Sequence, residues 1–166
     1  MGIFTAYNGP MPTTAAQAKV TTGTSIKTML QLATPSTVQL TILSWGFSLD
    51  ASPASGGLVE LIETDVAATT GTAHVAAGVQ PQLPGQPASL LTLGTGATGY
   101  TFTVEGSTTA SRVFGYATAG DAWIDRQYVR EFVPGREPVV AVSKFLRIRS
   151  TFGTAVNMTC WITWSE

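Results

Sequence analysis

Three carboxylates lie close together in the sequence, at Glu60, Glu63 and Asp65. In a strand, Glu63 and Asp65 point to one face and Glu60 to the other, because successive side chains alternate. Two carboxylates on one face have the chemistry to bind calcium or to act as acid and base. Such groups more often face solvent or pair with arginine and lysine, so we expect no metal site here.

The single histidine, His74, limits the catalytic chemistry open to the chain. A Ser-His-Asp site would need His74, with Asp65 nearby in sequence, but no serine lies in a G-x-S-x-G motif. A three-ligand zinc site would need two further ligands from carboxylates, and a cupin-like centre needs several histidines. We expect a histidine in a loop or at a strand edge, and a protein that is not an enzyme.

Residues 94–99 match the dinucleotide-binding pattern G-x-G-x-x-G. That site needs a helix after the glycines, because the helix N-terminus holds the pyrophosphate. Here Tyr100, Phe102 and Val104 alternate as in a strand. The pattern therefore predicts a glycine-rich turn, and we expect no cofactor.

Arg147 and Arg149 share one face of a predicted strand, opposite Leu146 and Ile148. The net charge of the chain is −1, which argues against a nucleic-acid partner, so we expect these arginines to pair with carboxylates. No apolar run reaches the roughly 20 residues of a membrane-spanning helix, and the N-terminus has no secretory signal pattern. The lone Cys160 alternates with apolar neighbours and is expected to be buried and inert.

Four tryptophans divide into two pairs. Trp45 and Trp164 fall on predicted core faces. Trp123 and Trp161 are the candidates for exposure, either as a platform for stacking sugars or as anchors in a protein interface.

Short runs with a period of two residues, separated by glycine, proline and threonine, indicate an all-β chain. Within 38–49 the apolar phase switches near Ser44, which predicts a bulge that Gly46 permits. The predicted strands are 26–32, 38–49, 58–64, 72–75, 89–93, 100–104, 112–117, 127–133, 139–142, 145–150 and 156–164.

This strand count predicts a two-sheet antiparallel sandwich of jelly-roll type over residues 25–166. An immunoglobulin-like sandwich is the alternative, but the chain lacks its Cys…Trp…Cys spacing. Residues 1–24 are small and polar with turn signals, and we expect an extended N-terminal arm that the domain does not need for folding.

Charged residues make up 11% of the chain, and residues 66–104 contain none of them. A soluble domain usually has about 25%. Charges keep protein surfaces hydrated and apart. The composition therefore predicts that part of this charge-free stretch lies against another subunit.

The chain resembles a family of tailed-phage virion proteins. The stretches that carry the resemblance are 30–36 (LQLATPS), 44–50 (SWGFSLD), 59–65 (VELIETD), 142–149 (VSKFLRIR) and 160–166 (CWITWSE). The resemblance implies a jelly-roll subunit, usually trimeric, that decorates or cements a capsid or belongs to a fibre. None of these stretches is a catalytic signature.

The sequence and this resemblance together predict a homotrimeric capsid decoration protein that stabilises the phage head by contact with the major capsid protein lattice. Its place would be the virion, assembled in the cytoplasm of a bacterial host. The alternative is the receptor-binding or glycan-binding knob of a phage fibre. We expect no nucleic-acid or membrane partner.

Overall fold

The computed structural model describes residues 2–10, 16–106, 109–120 and 127–166. The chain forms an all-β sandwich of two antiparallel sheets, as the strand pattern predicted. Several successive strands lie in opposite sheets, an order compatible with a jelly roll.

The first sheet has seven strands, in the order β10-β4-β13-β1-β7, with β11 paired to β4 and β2 to β13. Its strands are β1 (Ile3–Tyr7), β2 (Val20–Thr21), β4 (Leu40–Leu49), β7 (Val79–Pro81), β10 (Gln127–Glu131), β11 (Val139–Val140) and β13 (Asn157–Ser165).

The second sheet has six strands, in the order β6-β8-β3-β12-β5-β9. Its strands are β3 (Ile26–Ala33), β5 (Gly57–Thr64), β6 (Thr72–Ala73), β8 (Gly99–Tyr100), β9 (Arg112–Ala119) and β12 (Phe145–Phe152). A 3-10 turn, Ala76–Gly78, precedes β7.

The bulge predicted near Ser44 is confirmed. In the pairing of β4 with β13, Thr163 lies opposite Ser44 and Trp164 opposite Ile42, so Leu43 is the extra residue. The buried positions change phase across it, from Leu40 and Ile42 to Trp45, Phe47 and Leu49. Both halves of this strand therefore supply the same core.

Several predicted strands are shorter than expected, and one is absent. The strand predicted over 100–104 ends at Tyr100, where the next residue, Thr101, has a φ of +51°. Ser143 at +56° likewise follows the short strand β11. Residues 89–93 form no strand.

The core lies between the sheets and is built by alternate residues of the long strands. In β13, the inward side chains are Met158, Cys160, Ile162 and Trp164, all buried, as the sequence predicted. Trp45 packs between the two edge strands β9 and β10. A Cβ atom on Gly115 would lie 2.9 Å from Cζ2 of Trp45, and the ring of Tyr128 lies 5.1 Å away.

The expected N-terminal arm is wrong for the part that the structure describes. Strand β1 lies inside the seven-stranded sheet, between β13 and β7, and it buries Phe4 and Ala6 in the core. Strand β2 pairs with β13 near its start. The apolar face of β1 has only two core residues before the turn at Asn8, so its period-two pattern is too short to stand out. Residues 11–15 of the predicted arm lie outside the described residues.

Replacement of Phe4 by alanine tests this correction. Phe4 is 2% exposed and stacks on Trp164 at 5.9 Å between ring centroids. We expect Phe4→Ala to lower the free energy of unfolding by about 3–5 kcal/mol in urea titrations. Tyr7→Ala, on the outward face of the same strand, should cost much less. If Phe4→Ala is as stable as the wild type, the interpretation of residues 1–24 as an arm that the domain does not need for folding would be supported instead.

Candidate functional site

The three carboxylates singled out in the sequence are all held in ion pairs with basic side chains. Glu60 accepts from Nε of Arg149 at 3.0 Å, and Glu63 accepts from Nε of Arg112 at 2.9 Å. Asp65 lies 2.5 Å from Nζ of Lys144. The expectation that these carboxylates pair with arginine and lysine is confirmed.

Arg147 and Arg149 share the outer face of the six-stranded sheet, while Leu146 and Ile148 enter the core, as predicted. Both arginines are nevertheless buried. A guanidinium without contact to water needs hydrogen-bond partners for its donors. The residues that pack against this outer face supply these hydrogen-bond partners.

The guanidinium of Arg147 is the most enclosed charge of the described residues. It donates to Oγ1 of Thr28 at 3.0 Å from Nε, to Oγ1 of Thr64 at 3.4 Å and to the backbone oxygen of Glu105 at 3.2 Å. Nη2 also binds the Glu105 carboxylate. Burial lowers the pKa of Arg147, and the negative charge of Glu105 opposes that shift.

The partners of Arg147 come partly from residues 65–106, which we name the cover segment. Besides Arg147, Glu105 binds the backbone N–H and the hydroxyl of Thr28 in β3. The side chain of Gln31 binds the backbone N–H of Ala68 at 2.8 Å and the backbone oxygen of Ala97 at 2.8 Å. Both ends of the cover segment are therefore fixed to the outer face of the six-stranded sheet, while β7 in its middle pairs with β1 in the other sheet.

Most of the cover segment is the charge-free stretch, residues 66–104. Part of that stretch therefore packs against the same chain. Phe102 is fully buried there, and the amide of Ala33 donates to the hydroxyl of Thr98 at 2.9 Å. Other side chains of the segment point away from the sheet. The large apolar ones among them are Val66, Val75, Leu83, Leu90 and Val104, each about half exposed.

His74 lies in the cover segment, in the loop directly after edge strand β6, as expected, and its side chain is buried. Its Nε2 is 2.9 Å from the backbone oxygen of Tyr7, and its ring lies 4.9 Å from that of Tyr100. Burial lowers the pKa of His74, and the hydrogen bond to Tyr7 opposes the shift. Within the described ranges its ring hydrogen-bonds to this carbonyl and to no serine or carboxylate. His74 thus ties the cover segment to β1.

The glycine-rich motif forms a turn that leads into a strand. Gly94 and Gly96 have φ values of +77° and +78°, which glycine adopts without strain. Strand β8 begins at Gly99, so no helix N-terminus follows to hold a phosphate. The prediction of a glycine-rich turn is confirmed.

Among the described residues, no group of three or more His, Cys, Asp or Glu side chains is placed to hold one metal ion. Cys160 is buried as expected, and burial raises the pKa of its thiol well above the ordinary value. No helix in the described part of the chain is long and apolar enough to cross a membrane.

The four tryptophans separate as the sequence predicted where the structure describes them. Trp45 and Trp164 are fully buried, and Trp161 is partly exposed on the outer face of the seven-stranded sheet. Trp123 lies outside the described residues. Tyr7 stands beside Trp161, with 6.2 Å between ring centroids. This neighbour was missed because Tyr7 had been assigned to the arm.

Comparison of the chain with protein-family models, with curated proteins and with solved structures finds no match. The resemblance to phage virion proteins therefore remains a prediction, and the arguments for function rest on the geometry above.

Replacement of Arg147 tests whether its ion pair holds the cover segment in place. Arg147→Met leaves the Glu105 carboxylate without its partner, and we expect a loss of about 3 kcal/mol or more in the free energy of unfolding. The double variant Arg147→Met/Glu105→Met should recover part of that loss. Lys144→Met removes the solvent-exposed pair with Asp65 and should change stability little. A fully stable Arg147→Met variant would contradict this role.

The buried His74 predicts a loss of stability on the acid side of neutrality. Its folded-state pKa is lowered, so the unfolded chain takes up a proton first, near the ordinary pKa of about 6.5. The contribution of the neutral ring is complete above that pH and declines as the pH falls towards the folded-state pKa.

Urea titrations of the wild type and His74→Gln between pH 8 and about pH 5 measure this effect, because 6.5 lies within that range. The difference in stability between the two proteins should change across the range, since carboxylates titrate alike in both. A constant difference would show that His74 titrates equally in the folded and unfolded states.

Proposed function

We propose that this chain is a structural virion protein, a homotrimeric decoration protein that stabilises a phage capsid by contact. Its binding partners are copies of itself and the major capsid protein lattice. The chemistry of such a subunit is adhesion, so its surface matters more than any single reactive group.

The observation that carries the proposal is the distribution of charge between the interior contacts and the surface. Glu60, Glu63 and Glu105 are held by arginines within the subunit, while many large apolar side chains face outward. Exposed apolar surface of this kind marks protein interfaces. At the β9 and β10 edge of the sandwich, these side chains are Val113, Tyr116, Val129, Val133, Val139 and Val142.

The strand β10 and the turn after it fit a second copy of the chain. Arg130 and Arg136 alternate there with Glu131 and Glu137, and no ion pair within the described residues uses these four. In a closed trimer such a surface meets a different patch of the next copy, and mixed charges with apolar side chains between them suit one side of that contact. We therefore assign the trimer contacts to the β10 edge and the capsid contact to the cover segment.

A second candidate function is the receptor-binding or glycan-binding knob of a fibre. The observation that favours it is the pair of Tyr7 and Trp161, which are both accessible on the outer face of the seven-stranded sheet. Aromatic pairs of this type also anchor protein interfaces, so the two functions predict different ligands for one face.

Light scattering on the purified protein tests the oligomer, and electron microscopy of virions labelled with antibody tests the location. We expect a trimer at micromolar concentration and label on the capsid. Val129→Lys should shift the mass towards the monomer with an unchanged thermal transition, whereas Thr24→Lys, also at an exposed position, should not.

Lysine substitutions in the cover segment test the capsid contact separately. Thr72, Thr92 and Thr95 are exposed, so lysine should be tolerated by the fold and should reduce capsid occupancy, because burying a charge costs several kcal/mol, on the order of a hot spot. If all three variants occupied capsids at the wild-type level, the capsid contact of the cover segment would be wrong. If the wild-type protein were a monomer, the trimer would be wrong.

A further inference from the structure

The outer face of the seven-stranded sheet carries an aromatic platform made by Trp161 and Tyr7. Trp161 in β13 lies opposite Gly46 in β4. A Cβ atom on Gly46 would lie 2.5 Å from Cζ2 of Trp161, so the indole rests against backbone that has no side chain. Tyr7, 39% exposed, continues the platform at a ring angle of 41°.

A polar groove begins next to this platform on the same sheet face. Thr159 precedes Trp161 by two residues, which places it about 7 Å away along β13, and it pairs with Ser48 of β4. Both line a groove of about 250 Å³ together with Lys19, Leu49, Asp50 and Asn157. An aromatic surface thus passes directly into a concavity with hydrogen-bonding groups.

Asp50 and Asn157 form a fixed pair inside the groove. The Asn157 amide donates to Oδ2 of Asp50 at 2.9 Å, and Nζ of Lys19 lies 3.4 Å from the same oxygen. The hydrogen bond from Asn157 is the main reason that the pKa of Asp50 is lowered. The carboxylate, the amide and the ammonium group place both hydrogen-bond acceptors and donors in the groove.

The charge on this face selects among possible ligands. The outward residues of β1 and of β13 are uncharged: Ile3, Thr5, Tyr7, Asn157, Thr159, Trp161, Thr163 and Ser165. A nucleic acid would need several cations, and only Lys19 lines the groove. A neutral ligand with an apolar face and a hydroxyl-rich rim matches both the platform and the groove.

A pyranose ring whose hydroxyl groups are equatorial has that shape, because its C–H bonds form two apolar faces and its hydroxyls form the edge. We propose that this sheet face binds a neutral polysaccharide chain of such units. One ring stacks on Trp161, and the hydroxyls of a unit farther along the chain bind Asp50 and Asn157, which lies about 13 Å from Trp161 along β13. The site belongs to the single subunit, so it stands independently of whether the subunit decorates a capsid or ends a fibre.

Calorimetric titration of the full chain with cellohexaose, a neutral chain of equatorial pyranoses, tests the proposal. We expect saturable binding at millimolar or lower concentration. Trp161→Ala and Asp50→Asn should each weaken it by about tenfold or more, the equivalent of roughly 1.4 kcal/mol. Thr151→Ala is the control, because Thr151 is exposed on β12 of the other sheet, and this variant should bind as the wild type does.

Three outcomes would overturn the proposal: no saturable binding of cellohexaose at millimolar concentration, binding that Trp161→Ala leaves unchanged, or loss of the oligomer in Trp161→Ala without any sugar binding. The last would assign the platform to a contact between copies of the chain. Circular dichroism of each variant separates loss of the site from loss of the fold, and Asp50→Asn provides a variant outside the strands. A failed titration leaves the virion-labelling result unaffected, so the two proposals fail separately.

Discussion

The buried guanidinium of Arg147 is the interaction on which the outer layer of this sandwich depends. It stands on the outer face of the six-stranded sheet, where an uncovered arginine would simply extend into water. Its hydrogen bonds to Thr28, Thr64 and Glu105 join β3, β5 and the end of the cover segment at one point. A buried charge in this position is costly unless it is fully paired. The cover segment buries Arg147, and Glu105 at the end of the same segment supplies the paired charge.

The same requirement explains why the charge-free stretch folds back on its own subunit. Residues 66–104 bring no Asp, Glu, Lys or Arg to desolvate, and glycine, alanine and threonine allow backbone to approach a sheet closely. Gln31 shows the result, since its amide binds backbone groups of Ala68 and Ala97. What remains outward, including Leu83 and Leu90, is the apolar surface from which we infer contacts with neighbouring proteins.

Local sequence patterns predicted the strands that have long alternating faces and missed what depends on distant partners. The two faces of β13 and the bulge in β4 could be predicted from the sequence, because apolar residues alternate with polar ones along these strands and mark the buried face. Strand β1 could not be predicted in this way, since its two core side chains are buried only by pairing with strands that are distant in sequence, beside Trp164 and Val79. The pairing of Glu105 with Arg147 joins residues 42 positions apart, and no local pattern encodes it. For the same reason Tyr7 was not expected beside Trp161.

The position of β13 also sets the order in which the chain can fold. This strand, Asn157–Ser165, lies between β4 and β1, so the pairing of β1 is incomplete until residues 157–165 have left the ribosome. Contacts between such distant segments close large loops and slow the search for the native state. During synthesis, β1 and β4 present unpaired edges at the same time, and prompt arrival of β13 is what separates folding from aggregation.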